Sequence, residues 1–100
     1  MPDVNRQLIL SSRADHDLAK IAEYTIKHFG IEQARHYRDG LDNLLESLLQ
    51  YPLLGRPAAE FAPKLRRIEY EEHVIFYVPS RNKIRVARIL GQNMDAERHL

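Results

Sequence analysis

The chain has 100 residues, 44% of them hydrophobic and 29% charged. That is one domain's worth of chain, able to bury roughly 65% of its unfolded surface in a single core. The composition excludes a disordered polyelectrolyte and a low-complexity chain. With no cysteine there is no disulfide framework, thiolate metal site or cysteine nucleophile. A formal net charge of +1 excludes a uniformly basic nucleic-acid coat.

The opening Met1-Pro2-Asp3-Val4-Asn5-Arg6 lacks the apolar stretch of a signal peptide, and no apolar run approaches the ~20 residues that span a bilayer. A cytoplasmic protein without membrane contact is the expectation. Charge divides unevenly along the chain. Residues 1–63 carry seven basic and nine acidic residues, a balance of −2, and residues 64–100 carry eight and five, a balance of +3.

Gln7-Leu8-Ile9-Leu10 reads as a short strand. Ser12 is the expected N-cap of a first helix, with Asp15 at the capping-box position and Asp17 adding negative charge to the first turn. Leu18, Ile21, Ala22, Thr25, Ile26 and Phe29 recur at helical spacing, and Gly30 closes the helix. A second stripe runs through Ala34, Tyr37, Leu41, Leu44, Leu45, Leu48 and Leu49 until Pro52 stops it. Gly40 inside that helix predicts close approach of the first helix. Joined across a single Gly30-Ile31 connection, the two helices are expected to pack as an antiparallel hairpin.

Residues 52–63 hold Pro52, Gly55, Pro57 and Pro63 and read as a loop. Three strands are predicted next, at 65–70, 73–78 and 83–90, with connections short enough to demand antiparallel neighbours. Val74, Phe76 and Val78 take one face of their strand, and His73, Ile75 and Tyr77 the other. Ile84, Val86 and Leu90 are expected inward on the last strand. The tail from Met94 to Leu100 is either frayed or a single helical turn with Leu100 packed. The fold class is therefore α+β: strand, two helices, three strands, with the helix hairpin on a small antiparallel sheet in a single domain, 1–100.

Catalytic signals are sparse. No histidine pair has zinc-helix spacing, and there is no nucleophile elbow or phosphate loop. No metal and no cofactor are expected. His73 and His99 are the best-placed histidines. Arg56 sits either in a plain turn or on a rigid loop facing an acidic partner. Arg66, Arg67, Tyr70, Tyr77, Arg85 and Arg88 fall on adjacent strands. They fit a grip on RNA phosphates, a charged protein interface, or a solvated face neutralised by Glu69, Glu71 and Glu72.

Taken together, several pieces resemble one family. They are Leu10-Ser11-Ser12-Arg13-Ala14, Gly30-Ile31-Glu32-Gln33-Ala34, Pro52-Leu53-Leu54-Gly55-Arg56-Pro57 and Leu65-Arg66-Arg67-Ile68. His73 to Val78, Ile84 to Leu90, and Gln92-Asn93-Met94-Asp95 leading to Arg98-His99-Leu100 complete the set. In that order and spacing they resemble the ParE branch of the ParE/RelE toxin superfamily of bacterial type II toxin–antitoxin systems. The resemblance implies a toxin that inhibits DNA gyrase and is neutralised by a ParD-like antitoxin, whose C-terminal helix and extended segment wrap around it. RelE-like relatives share the fold and cut mRNA on the ribosome.

RelE-type enzymes place an arginine early in the third strand, where this chain has His73, and another after the last strand, where it has Gln92-Asn93. His99 matches their C-terminal tyrosine or histidine. On the ribonuclease alternative, His73 and His99 would be an acid/base pair with Arg66 or Arg67 beside them. The missing arginines and the near-neutral charge favour the gyrase-inhibitor reading, non-enzymatic and without direct nucleic-acid contact. A relic that only binds antitoxin is the third possibility. Arg85, Arg88, Arg98 and His99 are the expected target-facing residues. Tyr24, Tyr37, Tyr51 and Arg56 are the expected antitoxin-facing ones, although a tyrosine on a helix stripe is commonly core packing.

Overall fold

The computed structural model describes residues 5–100. The start of the segment read for a leader, residues 1–4, lies outside them. Eight elements follow in order: β1 Gln7–Leu10, α1 Ser12–Phe29, α2 Ile31–Gln50, β2 Arg56–Pro57, β3 Arg66–Tyr70, β4 His73–Pro79, β5 Lys83–Gly91 and α3 Ala96–His99. The predicted order holds, with one addition. The proline-rich loop contributes a two-residue strand, β2, which pairs antiparallel with β3.

The sheet runs β1-β5-β4-β3-β2. The three late strands are antiparallel neighbours, as their short turns require. β1 lies parallel to β5, with Leu8 opposite Ile84 and Leu10 opposite Val86. The sheet is therefore mixed rather than wholly antiparallel, because a long crossover is what parallel pairing needs and the helix hairpin supplies it.

The α1 cap is Ser11, not Ser12. Its Oγ accepts from the Ala14 amide at 3.0 Å and donates to the Ala87 carbonyl at 2.8 Å, fixing the helix start to β5. With Ser11 as cap, the capping-box position falls on Ala14, so Asp15 has no box to close. Gly30 has φ +92° and ends α1 while opening α2, a backbone shape that L side chains rarely take. Gly40 faces a different neighbour from the one expected. A Cβ there would lie 2.1 Å from the Tyr70 hydroxyl, so the glycine makes room for β3 and not for α1.

Two cores lie on the two faces of the sheet. Leu18, Leu41, Leu45 and Leu48 of the helices meet Ile75, Tyr77, Ile84, Val86 and Ile89 on one face. Each fully buried leucine contributes about 1.5–3 kcal/mol. On the opposite face Ala58, Leu65, Val74, Phe76 and Leu90 are covered by Phe61, Ala96 and Leu100. Phe61 meets Phe76 edge-on at 6.1 Å. The alternation expected on β4 is present. On β5 it breaks: Phe76 pairs with Arg88 while Tyr77 pairs with Val86, leaving Ala87 as an extra residue. This bulge sends Ile89 to the helix face and Leu90 to the other, so Leu90 does not join Ile84 and Val86 as predicted.

Candidate functional site

The hairpin tip, the β3–β4 turn and the end of β5 enclose a cavity of about 800 Å³. Its helical wall is Lys20, Ile21, Tyr24 and Thr25, with Phe29 and Tyr37 beside them. Glu71, Glu72 and His73 face that wall, and Gln92 and Asn93 close the end. Gly91 pairs with His73 across the sheet, and this pairing brings the Gln92-Asn93 position to His73. Two of the three positions compared with RelE-type enzymes therefore share one cavity.

A small network fixes its floor. The Tyr37 hydroxyl lies 3.0 Å from His73 Nδ1, and the Tyr70 hydroxyl donates to the Tyr37 carbonyl at 3.0 Å. Tyr37 also packs edge-on against Tyr70 and His73, at 5.1 and 5.5 Å. Burial pushes the His73 imidazolium pKa down, against an opposing pull from Glu72. Burial also pushes Tyr37 well above its ordinary range, with Tyr70 and Glu71 adding to the effect. Tyr70 rises for the same first reason, helped by Glu71 and Asp39. The neutral forms of all three are favoured at neutral pH, and among the described residues Lys20 is the one Lys or Arg side chain in the wall.

His99 lies elsewhere. With Ser12, Arg13, His16, Asp17 and Arg88 it lines a second cleft of about 310 Å³ that shares no residue with the first. His73 and His99 thus face different spaces. Arg66 and Arg67 join neither. Arg66 donates to the Gly55 carbonyl at 3.0 and 2.6 Å and holds the loop before β2. Arg67 lies over the Phe76 ring, 5.4 Å from its centroid, and its buried Nε has no hydrogen-bond partner among the described residues.

Of the expected target-facing residues, Arg85 and Arg98 are exposed. Arg88 is mostly enclosed. Its Nε and Nη2 donate to the two Asp17 carboxylate oxygens at 2.8 and 2.9 Å, and that bond raises the Arg88 pKa further. Of the expected antitoxin-facing residues, Tyr24 and Tyr51 are 59% and 63% exposed, whereas Tyr37 belongs to the cavity floor. Tyr24 stacks on His28 at 4.3 Å beside an exposed Phe29, forming an aromatic rim at the hairpin tip. Tyr51 forms a separate exposed patch with Leu53 and Leu54. Arg56 pairs with Glu69 at 3.3 Å on the surface.

The sequence reading missed Asp17 as a buried partner and Leu53 and Leu54 as exposed apolar residues. Asp17 looked like a dipole-complementing acid, and its partner stands 71 residues away. Leu53 and Leu54 had a signal, since two leucines in a proline-rich loop have no strand or helix face to join. Among the described residues no group of three or more His, Asp or Glu could hold a metal ion, and no helix is long and apolar enough to cross a membrane.

A family model described as the ParE toxin of type II toxin-antitoxin system, parDE, matches residues 8–96. The chain is 34% identical to toxin ParE1 of Caulobacter vibrioides over 91 residues, which is 91% of this chain and 94% of that toxin. It is 31% identical to toxin ParE1 of Mycobacterium tuberculosis over 98 residues, 97% of this chain and 100% of the other. A solved structure of the chromosomal ParDE TA system from P. aeruginosa superposes with a TM-score of 0.72, covering 87% of this chain and 96% of that one. At 19% identity that match speaks to the fold.

Proposed function

The chain belongs to the ParE toxin family of type II toxin–antitoxin systems, and from that premise we propose that it is a toxin that inhibits DNA gyrase and is held inactive by a ParD-like antitoxin. The observation that carries the choice of a protein target is the character of the large cavity. Its helical wall carries Ile21, Tyr24, Phe29 and Tyr37, its polar lining includes Glu71, Glu72, Gln92 and Asn93, and among the described residues Lys20 is its one Lys or Arg. RNA binding rests on many cationic contacts to phosphates, and two carboxylates at the rim repel them. Aromatic side chains on the helical wall, facing neutral amides and two carboxylates, suit a peptide segment instead.

The ribonuclease alternative lacks its constellation. A phosphorane-like transition state needs cations fixed around it before reaction. Arg66 and Arg67 stand outside both clefts, and His73 and His99 occupy separate ones. A desolvated His73 is also a poor source of a stabilising charge.

The antitoxin surface on this reading comprises the aromatic rim of Tyr24 and Phe29, the cavity behind it, and the second apolar patch of Tyr51, Leu53 and Leu54. Large exposed apolar side chains grouped in this way mark interaction sites. Gyrase is met by the basic sheet-and-tail half, with Arg85, Arg98 and His99 as the accessible groups. Arg88 contributes by holding the tail. The test is DNA supercoiling by gyrase in the presence of purified toxin. The expected result is inhibition that the cognate antitoxin relieves, with no cleavage of translated mRNA in a primer-extension assay. Supercoiling unaffected by a molar excess of toxin rejects the proposal.

A further inference from the structure

Helix α3 has four residues, Ala96–His99, too few to hold itself together. Its own bonds are few: Asp95 caps the Glu97 amide at 3.2 Å, and the Arg98 and Leu100 amides bond back to Asp95 and Ala96. Something outside it must fix its orientation. On one side Ala96 and Leu100 rest on the second core. On the other side, two guanidinium groups converge on one atom. Arg88 Nη1 and Arg13 Nη2 both donate to the His99 carbonyl, the latter at 2.8 Å.

The Arg88 group cannot swing. Its remaining fork is bidentate to Asp17, and Asp17 Oδ2 also accepts the Ile89 amide at 2.9 Å. The carboxylate is thus tied to the β5 backbone, the guanidinium is tied to the carboxylate, and the third donor is left aimed at the tail. The side chains of Asp17 and Arg88 are 10% and 12% exposed. An enclosed ion pair of this kind adds little stability over a well-packed apolar pair, and its geometry is what an apolar pair would not supply.

We propose that Asp17 and Arg88 are positioning residues for the toxic activity: with Arg13 they clamp the His99 carbonyl and so set the direction in which the Arg98 and His99 side chains leave the surface. This rests on the reading that the tail meets the toxin's target. Asp17 is enclosed and reaches the tail only through Arg88, with the Ile89 amide holding its carboxylate in place. Arg13 stands one helical turn before Asp17 and reinforces the clamp from its exposed side.

The test uses the full-length toxin with Arg88→Lys and, separately, Arg13→Ala. Lysine keeps the charge and a donor for Asp17 but cannot serve both carboxylate oxygens and the His99 carbonyl. In Arg88→Lys the Arg98 and Leu100 amides should exchange at least about tenfold faster, the loss of one charge-assisted bond, while core amides of β4 keep their protection. Arg13→Ala, an exposed change, should loosen the same two amides to a lesser extent. Inhibition of gyrase should weaken in the same order, with antitoxin binding within about twofold of wild type. Tail amides as protected as wild type in both variants would overturn the clamp. Loosened tail amides with undiminished growth arrest would keep the clamp and reject the reading that the tail meets the target.

Discussion

Replacing Tyr77 with phenylalanine removes one oxygen from the middle of the molecule. The ring is fully buried among the helix-face residues. Its hydroxyl donates to the Pro52 carbonyl at 2.9 Å and accepts from the Gly55 amide at 2.9 Å, so it is the pin that holds the loop after α2. The space is tight: a Cβ on Gly55 would stand 2.5 Å from the Arg67 carbonyl and 2.8 Å from this hydroxyl. Phenylalanine keeps the packing and leaves the Gly55 N–H buried without a partner, which costs ~1–3 kcal/mol. The Pro52 carbonyl is only partly enclosed and regains water, at a smaller cost of ~0.5 kcal/mol. A total of about 1.5–3.5 kcal/mol is a large part of the ~5–15 kcal/mol that holds a domain folded. At ~4–8 °C per kcal/mol for a chain of this size, Tm should fall by roughly 6–28 °C. Thermal unfolding followed by circular dichroism reads the shift, and amide exchange at Gly55 reads its cause. A Tyr77→Phe variant whose Tm and Gly55 exchange match wild type would refute the assignment of this hydroxyl as the loop's anchor.

Other outcomes follow from the same structure. His73 has a folded-state pKa below its unfolded value, so the unfolded chain binds the extra proton first, and stability should fall as pH drops from about 6.5 towards the lowered value. Urea titrations between pH 7 and pH 5 should show that slope in wild type and a flatter one in His73→Gln. Tyr24→Ala, at an exposed position, should leave Tm unchanged and weaken antitoxin binding by about 1–3 kcal/mol in a calorimetric titration. Tyr37→Ala should instead lower Tm, because Tyr37 packs on Tyr70 and His73. Gly55→Ala should destabilise more than Gly40→Ala in denaturant titrations. The first added methyl meets the β3 backbone, whereas the second meets the end of the Tyr70 side chain and gains ~1 kcal/mol of helix propensity. Arg98→Ala should reduce growth arrest without changing Tm. Deleting residues 94–100 should abolish toxicity and spare the antitoxin complex, and should also lower Tm, because Ala96 and Leu100 cover the second core.

Much of the fold was legible because periodicity is local. The leucine stripe of α2 and the alternation of β4 each name their own face, and the turns read at Glu71-Glu72 and Pro79-Ser80-Arg81-Asn82 are short enough to fix the pairing, although Pro79 proves to end β4. What escaped depends on residues far apart in sequence. The bulge that leaves Ala87 over is a property of the β4–β5 pair, and neither strand displays it alone. The second core draws Phe61 and Leu65 from a proline-rich segment that carries no period. Gly40 correctly signalled a close approach, but propensity alone could not say that Tyr70 makes it.

The site divided in the same way. His73 and Gln92-Asn93 were singled out by position in a resemblance, and the β4–β5 register brings them into one cavity. His99, picked on the same grounds, lies in the other cleft. Arg88 was picked for its charge, and its charge is spent on Asp17. A titratable residue's sequence neighbours do not disclose its partner, so candidate arginines could be counted from the sequence but not sorted into free and committed ones.

The proposed target of this ParE-family toxin is gyrase and not mRNA. A supercoiling assay with purified gyrase, toxin and cognate antitoxin tests it most directly. The expected result is dose-dependent loss of supercoiling that equimolar antitoxin restores. Full supercoiling at excess toxin, together with cleavage of translated mRNA by the same preparation, would contradict it.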